Sequence, residues 1–187
     1  MNEVLETIAK RSSTRGYTDE KLKKDEIDAL INAALQSPTA RNMQEVHITV
    51  VDGDAPILKE IDTERKMIML ADAPDEETKA KIESNPNNFY YSAPTVFILS
   101  VDKDFHWNKV DAGIAVQSMS LAAQSMGLGS LIIGIIDKAM KGEKKAYFEK
   151  ELKFPENYEF AIAIAVGHSS VTKEPHEYNI ETSVSYY

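Results

Sequence analysis

Apolar residues recur at helical spacing twice near the start of the chain. Val4, Leu5, Ile8 and Ala9 predict a short helix over 3–10. Ile27, Leu30, Ile31, Ala34 and Leu35 form a second i, i+3, i+4 stripe, with Asp25 as its expected N-cap. That helix must stop near "QSPT", because the residue before Pro38 is pushed out of the α region. The period then changes. "VHITVVD", 46–52, is β-branched and reads as a strand. The stretch 56–84 is charged and helical in character with a break at Pro74, and "NPNNFYYSAP", 85–94, is turn-rich.

"TVFILSVD", 95–102, is nearly all apolar and predicts a strand buried on both faces. Residues 107–126 give the longest helical pattern, apolar on several sides, as expected of a helix buried in its own domain or against another chain. Gly127 stops it, and "GLGSLIIGII", 127–136, contains a short strand. Residues 138–152 read as helical and exposed, and "EFAIAIAVGH", 159–168, as another buried strand. The tail, 169–187, is too polar to fold alone, yet Ile180, Val184 and its tyrosines suggest that it lies on something. The pattern predicts α/β or α+β, with a four- or five-stranded sheet covered by helices. Hairpin signals are lacking, which points to mixed strand directions.

Composition narrows the function classes. The 187 residues suit one domain, 1–187, with no repeat or linker. A formal net charge of -9 argues against general nucleic-acid binding, but leaves room for one small anion held by a local basic cluster. With no cysteine there is no disulfide, thiolate metal site or cysteine nucleophile. His47, His106, His168 and His176 lack metal-ligand spacing, so no metal is expected. No segment approaches a membrane span, and the start does not read as a signal peptide, so a cytoplasmic protein without a membrane partner is expected.

Against this acidic background stands "RSSTR". Arg11 and Arg15 with Ser12 and Ser13 offer rigid forks and hydroxyls suited to a phosphate monoester; equally, they are surface arginines with helix-capping hydroxyls. "SPTARNMQ", 37–44, offers Asn42 and Gln44 to the edge of a planar heterocycle, or is a capping loop. Gly129 and Gly134 either let backbone approach a flat ligand or mark strand ends.

The order of these segments is more specific than any one of them. "RSSTRGYT", "SPTARNMQ", "FYYSAPTVFILSVD", "DAGIAVQSMSLAAQSMGLGSLIIG" and "AIAIAVGHSS", taken in register, resemble the FMN-dependent nitroreductase family along essentially the whole chain. The resemblance implies an α+β three-layer sandwich: a mixed four- to five-stranded sheet flanked by helices, in a domain-swapped homodimer. It makes about 68–92 a substrate cap and about 169–187 an extension onto the partner subunit. It assigns Arg11, Ser12, Ser13 and Arg15 to the FMN phosphate, joined by Lys173, where a second basic residue is missing and His176 lies nearby. Pro38, Thr39, Asn42 and Gln44 would face the partner's isoalloxazine ring, although Glu45-Val46 stands where the family usually has Pro-Trp. "TERKM" resembles a segment whose lysine, here Lys66, lies near flavin N1 and O2, and Ile133 and Gly134 match backbone near N5 and O4.

The chemistry implied is ping-pong hydride transfer from NADH or NADPH to a small electron-poor acceptor such as a nitroaromatic or quinone. Flavin N5 carries the reaction, so no catalytic side chain is assigned. Enone reduction, dehalogenation or flavin fragmentation on the same scaffold, and a flavin-binding dimer without turnover, are the other readings.

Overall fold

Every side chain of residues 95–101 is buried, and the rest of the molecule is stacked around that strand. The computed structural model describes residues 2–174 and 177–187. Its elements in chain order are α1 (Glu3–Lys10), α2 (Lys24–Leu35), β1 (His47–Asp52), α3 (Pro56–Ala71), α4 (Glu76–Ser84), β2 (Thr95–Asp102), α5 (Asn108–Ser125), β3 (Gly129–Ile133), α6 (Asp137–Lys141), α7 (Lys145–Glu151), β4 (Tyr158–Gly167) and α8 (Ile180–Ser183). A short 3-10 turn, Ala40–Asn42, lies between α2 and β1. His176 lies outside the described residues.

The four strands run in the order β1-β2-β4-β3. Neighbouring strands are all antiparallel, where the lack of hairpin signals pointed to mixed directions. The reason is the placement of β4. β2, α5 and β3 make a parallel crossover, and β4 inserts antiparallel between its two strands. A single parallel bridge, Ser13 to Ser130, is added at the free edge of β3.

Alternation along β2 divides the core into two layers. Val96 and Ile98 point to α3, α6 and α7, meeting Leu58, Ile61, Met140 and Phe148. Phe97 and Leu99 point to α2 and α5, meeting Leu30, Ala34, Val116 and Met119. Full burial of each such side chain contributes about 1.5–3 kcal/mol, so the sheet's two covered faces are the main source of stability.

Helix ends explain most boundaries. Asn2 caps α1 by accepting from Leu5 N–H at 3.0 Å, and Asp75 caps α4 by accepting from Thr78 N–H at 2.7 Å. α2 starts before the expected cap Asp25, because the Glu26 carboxylate reaches back to the Lys23 N–H at 2.7 Å. The stretch expected to be exposed at 138–152 is two short helices that bury Met140 and Phe148. α1 buries no residue and leaves Val4, Leu5 and Ile8 exposed.

Gly129 has a packing requirement. A Cβ there would lie 2.7 Å from Thr14 Cγ2 and 2.8 Å from Thr14 Oγ1. Gly129→Ala is expected to cost about 1–3 kcal/mol by overpacking, read as a lower midpoint in chemical denaturation. Thr14→Ala in the same chain should recover part of that loss.

Candidate functional site

The basic loop is built on the sheet edge. α1 ends where Arg11 N–H bonds Thr7 O at 3.0 Å. The chain then runs beside β3, with Thr14 N–H donating to Ser130 O at 2.9 Å. Thr14 is buried over Gly129. Tyr17 fixes the next turn: its hydroxyl donates to Thr14 O at 3.0 Å, and burial pushes its phenol well above the usual range. Thr18 N–H to His168 O at 2.9 Å and Ser170 N–H to Gly16 O at 3.1 Å tie the loop to the chain leaving β4. Ser12 Oγ donates to Lys173 O at 3.4 Å. The fold therefore brings Ser12 beside the main chain of Lys173, 161 positions away in sequence. Among the described residues, no carboxylate lies within ion-pairing distance of Arg11 or Arg15, although most lysines nearby on the surface are paired.

Beside this loop a cleft of about 240 Å³ opens, lined by Arg15, Arg65, Met69, Asn88, Tyr91 and the backbone run Leu131–Ile135. Ile133 and Gly134 thus border it, as does the Arg15 guanidinium, whose carbon stands 6.0 Å from the centre of the Tyr91 ring. Asn88 shapes the opposite wall: its Oδ1 accepts from Tyr90 N–H and Ser92 N–H, within a turn where Tyr91 and Ser92 take left-handed φ of 51° and 55°.

Arg65 rather than Lys66 reaches the cleft. Arg65 is 7% exposed, and its Nε and Nη2 lie 3.0 and 2.8 Å from Asp62 Oδ1. The same carboxylate oxygen accepts Phe89 N–H at 3.0 Å. Arg65 Nη1 meets only the Met69 thioether, at 3.3 Å, so its strong donors are unfilled on the cleft side. Lys66 sits one position round the helix, 3.6 Å from Asp62 Oδ2, and lines neither cavity described here. A second cavity of about 380 Å³ shares Arg65, Met69, Gly134 and Ile135 with the cleft and is closed by Pro74, Thr78 and Ile82. The segment expected to act as a cap, 68–92, supplies walls to both.

Pro38, Thr39, Asn42 and Gln44 lie elsewhere and line neither cavity. Their loop is moored to α5: Ser37 Oγ donates to Ser118 Oγ at 2.8 Å, and Ala40 N–H donates to Asp111 Oδ2 at 2.9 Å. Thr39 Oγ1 accepts from Gln44 N–H at 3.0 Å. Arg41, Asn42 and Gln44 all hold left-handed φ, 57°, 54° and 54°, on an exposed loop. Such strain persists only where surrounding contacts over-determine it, and it concentrates at functional segments. Among the described residues, no cluster of three His, Asp or Glu side chains has metal-binding geometry. Among the described residues, no helix is long and apolar enough to cross a membrane.

The nitroreductase family model matches residues 8–168. The chain belongs to the nitroreductase family. Among solved structures, a nitroreductase with bound FMN from Desulfitobacterium hafniense is 30% identical, with a TM-score of 0.88 over 100% of this chain and 99% of that one. A nitroreductase with bound FMN from Bacteroides fragilis is 26% identical, with a TM-score of 0.86 over 100% of both chains. An FMN reductase (NADPH) of Bacillus subtilis is 28% identical over 90% of this chain, which spans 66% of that relative's length. A second B. subtilis relative, FMN reductase [NAD(P)H], is 29% identical, with the same shares of each chain covered.

Sequence reasoning overlooked Arg65, Asp62 and Asn88. The first had a readable signal: Leu58, Ile61 and Arg65 share one stripe of α3, so Arg65 falls on the buried face. Asp62→Ala is expected to destabilise the protein by about 3–5 kcal/mol, because it strands a buried guanidinium without its anion. Urea denaturation of the variant checks this.

Proposed function

We propose that this nitroreductase-family chain is an FMN-dependent NAD(P)H oxidoreductase that reduces small electron-poor acceptors, nitroaromatics or quinones. The observation that carries the reading is the continuity between a basic, hydroxyl-bearing loop and a cleft with a flat strand wall and a buried cation at its far side. In a protein of net charge -9, Arg11 and Arg15 are left without acidic partners among the described residues. That donor set fits a phosphate dianion. The wall Leu131–Ile135 fits the face and edge of a planar ring, with Gly134 carrying no side chain into the way. The FMN-bound relatives are consistent with both.

The residues then have distinct tasks. Arg11, Ser12, Ser13, Arg15 and Lys173 hold the phosphate end. Backbone at Ile133 and Gly134 orients the ring edge. Arg65, desolvated and already oriented by Asp62, offers Nη1 to a ring oxygen and favours negative charge developing nearby. The role expected of Lys66 therefore passes to its neighbour. The bound flavin would supply the hydride chemistry, taking two electrons from NADH or NADPH and giving them to the acceptor. The adjoining 380 Å³ cavity, apolar along Ile68, Met69, Ile82 and Ile135, gives an acceptor or nicotinamide a dry seat.

The same reading makes the active form a homodimer in the cytoplasm, where reduced nicotinamide is supplied. Val4, Leu5 and Ile8 on α1 and Val110 and Ile114 on α5 are exposed apolar side chains, available to a second chain. Tyr178, Ile180, Val184, Tyr186 and Tyr187 are exposed along the tail. In the dimer the loop Pro38–Gln44 comes against the partner's flavin, and the tail lies over the partner.

Purified protein should carry a yellow chromophore that NADH or NADPH bleaches under anaerobic conditions and that an added nitroaromatic or quinone restores. Colour without bleaching would leave a flavin-binding dimer; a colourless protein whose melting temperature ignores FMN would end the reading. Arg15→Ala should weaken FMN binding by about 1.5–3 kcal/mol, the worth of a charge-assisted contact, measured by fluorescence titration.

A further inference from the structure

Glu45 closes the loop that carries Thr39, Asn42 and Gln44, and its carboxylate is an orphan. The residue is 6% exposed, both oxygens are shielded from solvent, and among the described residues no donor other than its own backbone N–H is near them. A charge in that position would lack both water and a counter-ion, which is unstable by several kcal/mol. Because the atoms are already covered within one protomer, a group on another chain cannot reach them without rearrangement.

The groups around it are acidic or neutral. Asp111 of α5, itself 2% exposed, lies within hydrogen-bonding reach and repels a charge on Glu45, and Asp102 at the end of β2 contributes further negative charge. Tyr158 of β4 feels both Asp102 and Glu45. His47 of β1 lies edge-on to Tyr158, with ring centres 6.4 Å apart, and burial holds its pKa below the ordinary value, so it is neutral at neutral pH. Lys109 of α5 is engaged with Glu159 at 3.4 Å.

Two buried carboxylates side by side cannot both ionise. Asp111 lies in the first turn of α5 and accepts Ala40 N–H at 2.9 Å, a contact Glu45 does not have. We propose that Glu45 is a positioning residue: protonated, it donates its O–H to Asp111 and locks residues 39–45 in the conformation that faces the flavin, and loss of that one proton releases the loop. The functional half of this rests on the FMN reading given above; the proton and the loop do not.

Burial first, and Asp111 second among the raising causes, push the Glu45 carboxyl above its ordinary 4.5. The folded state therefore binds the proton more tightly than the unfolded chain. The stabilisation is complete below 4.5 and is lost as pH rises through the elevated folded value. The loop is held in acid and loosened toward alkaline pH. Once Glu45 is charged it must seek water, and the Ala40–Asp111 mooring beside it is strained by the repulsion.

The test compares wild type with Glu45→Gln, whose neutral amide keeps a donor for Asp111 at every pH. Amide hydrogen exchange of residues 39–45 in flavin-free protein, corrected for intrinsic rates, is measured at about pH 4.5 and about pH 9, alongside FMN titrations. Wild type should lose loop protection and FMN affinity together across that interval, while the Gln variant changes by less than about twofold. The same pH response in both proteins, or none in wild type, overturns the proposal. Should the variant fail to fold, the carboxyl carbon-13 titration of Glu45 in wild type decides: a midpoint at or below 4.5 refutes it. FMN that binds at neither pH would count against the functional reading, with the exchange data still deciding the role of Glu45.

Discussion

The candidate site depends on one backbone pairing, the docking of residues 13–18 against the edge of β3 and the exit of β4. Thr14 N–H to Ser130 O, the bridge at Ser13 and the bond from Thr18 to His168 O fix this segment as an added edge of the sheet. The consequence is electrostatic. Arg11 and Arg15 do not need acidic partners to hold them, because the main chain between them is already held. Their donors stay available within a protein that has 30 acidic residues and 21 lysines and arginines. Had the loop been anchored by salt bridges, the same residues would have been spent on structure.

A second constraint joins the two walls of the cleft. Asp62 on α3 binds Arg65 twice and also takes the N–H of Phe89, which begins the turn carrying Tyr91. One buried carboxylate thereby sets the distance between α3 and the 88–92 turn. Buried ion pairs contribute little net stability over an apolar substitute. What this one supplies is an oriented cation at the edge of a cavity, with Nη1 meeting nothing stronger than a thioether.

Much of this was legible in the residues. The run "TVFILSVD" announced a strand covered on both faces, and it is the centre of the three layers. The gathering of hydroxyls and arginines at 11–15 was legible as chemistry, and so was the apolar length of α5. What was not legible follows from physics that acts at a distance. α6 and α7 are five and seven residues long, too short to display a helical period, so their burial of Met140 and Phe148 was invisible. Antiparallel order came from β4, which follows β3 after α6 and α7, inserting between β3 and β2, and no local signal encodes that placement. Lys66 came from matching a short string, whereas helical phase shows Arg65: it continues the stripe of Leu58 and Ile61, and half-buried Lys66 stands one position on, 3.6 Å from Asp62 Oδ2.

Within one protomer the residues expected to meet at a flavin fall into two sets that do not touch. One set is the basic loop and the cleft beside it. The other is the Pro38–Gln44 loop, exposed and carrying three non-glycine residues in the left-handed region. Each such residue costs on the order of 1–3 kcal/mol, and the moorings to Ser118 and Asp111 only offset that cost. An isolated chain gains nothing from holding side chains in that arrangement. Under the proposed dimer, a second chain covering the exposed apolar side chains of α1 and α5 would bring its cleft to this loop, and the strain would then have a use: a loop already ordered before a planar ring binds. Under the proposed dimer, a site divided between chains would account for the exposure of this loop and for its left-handed backbone.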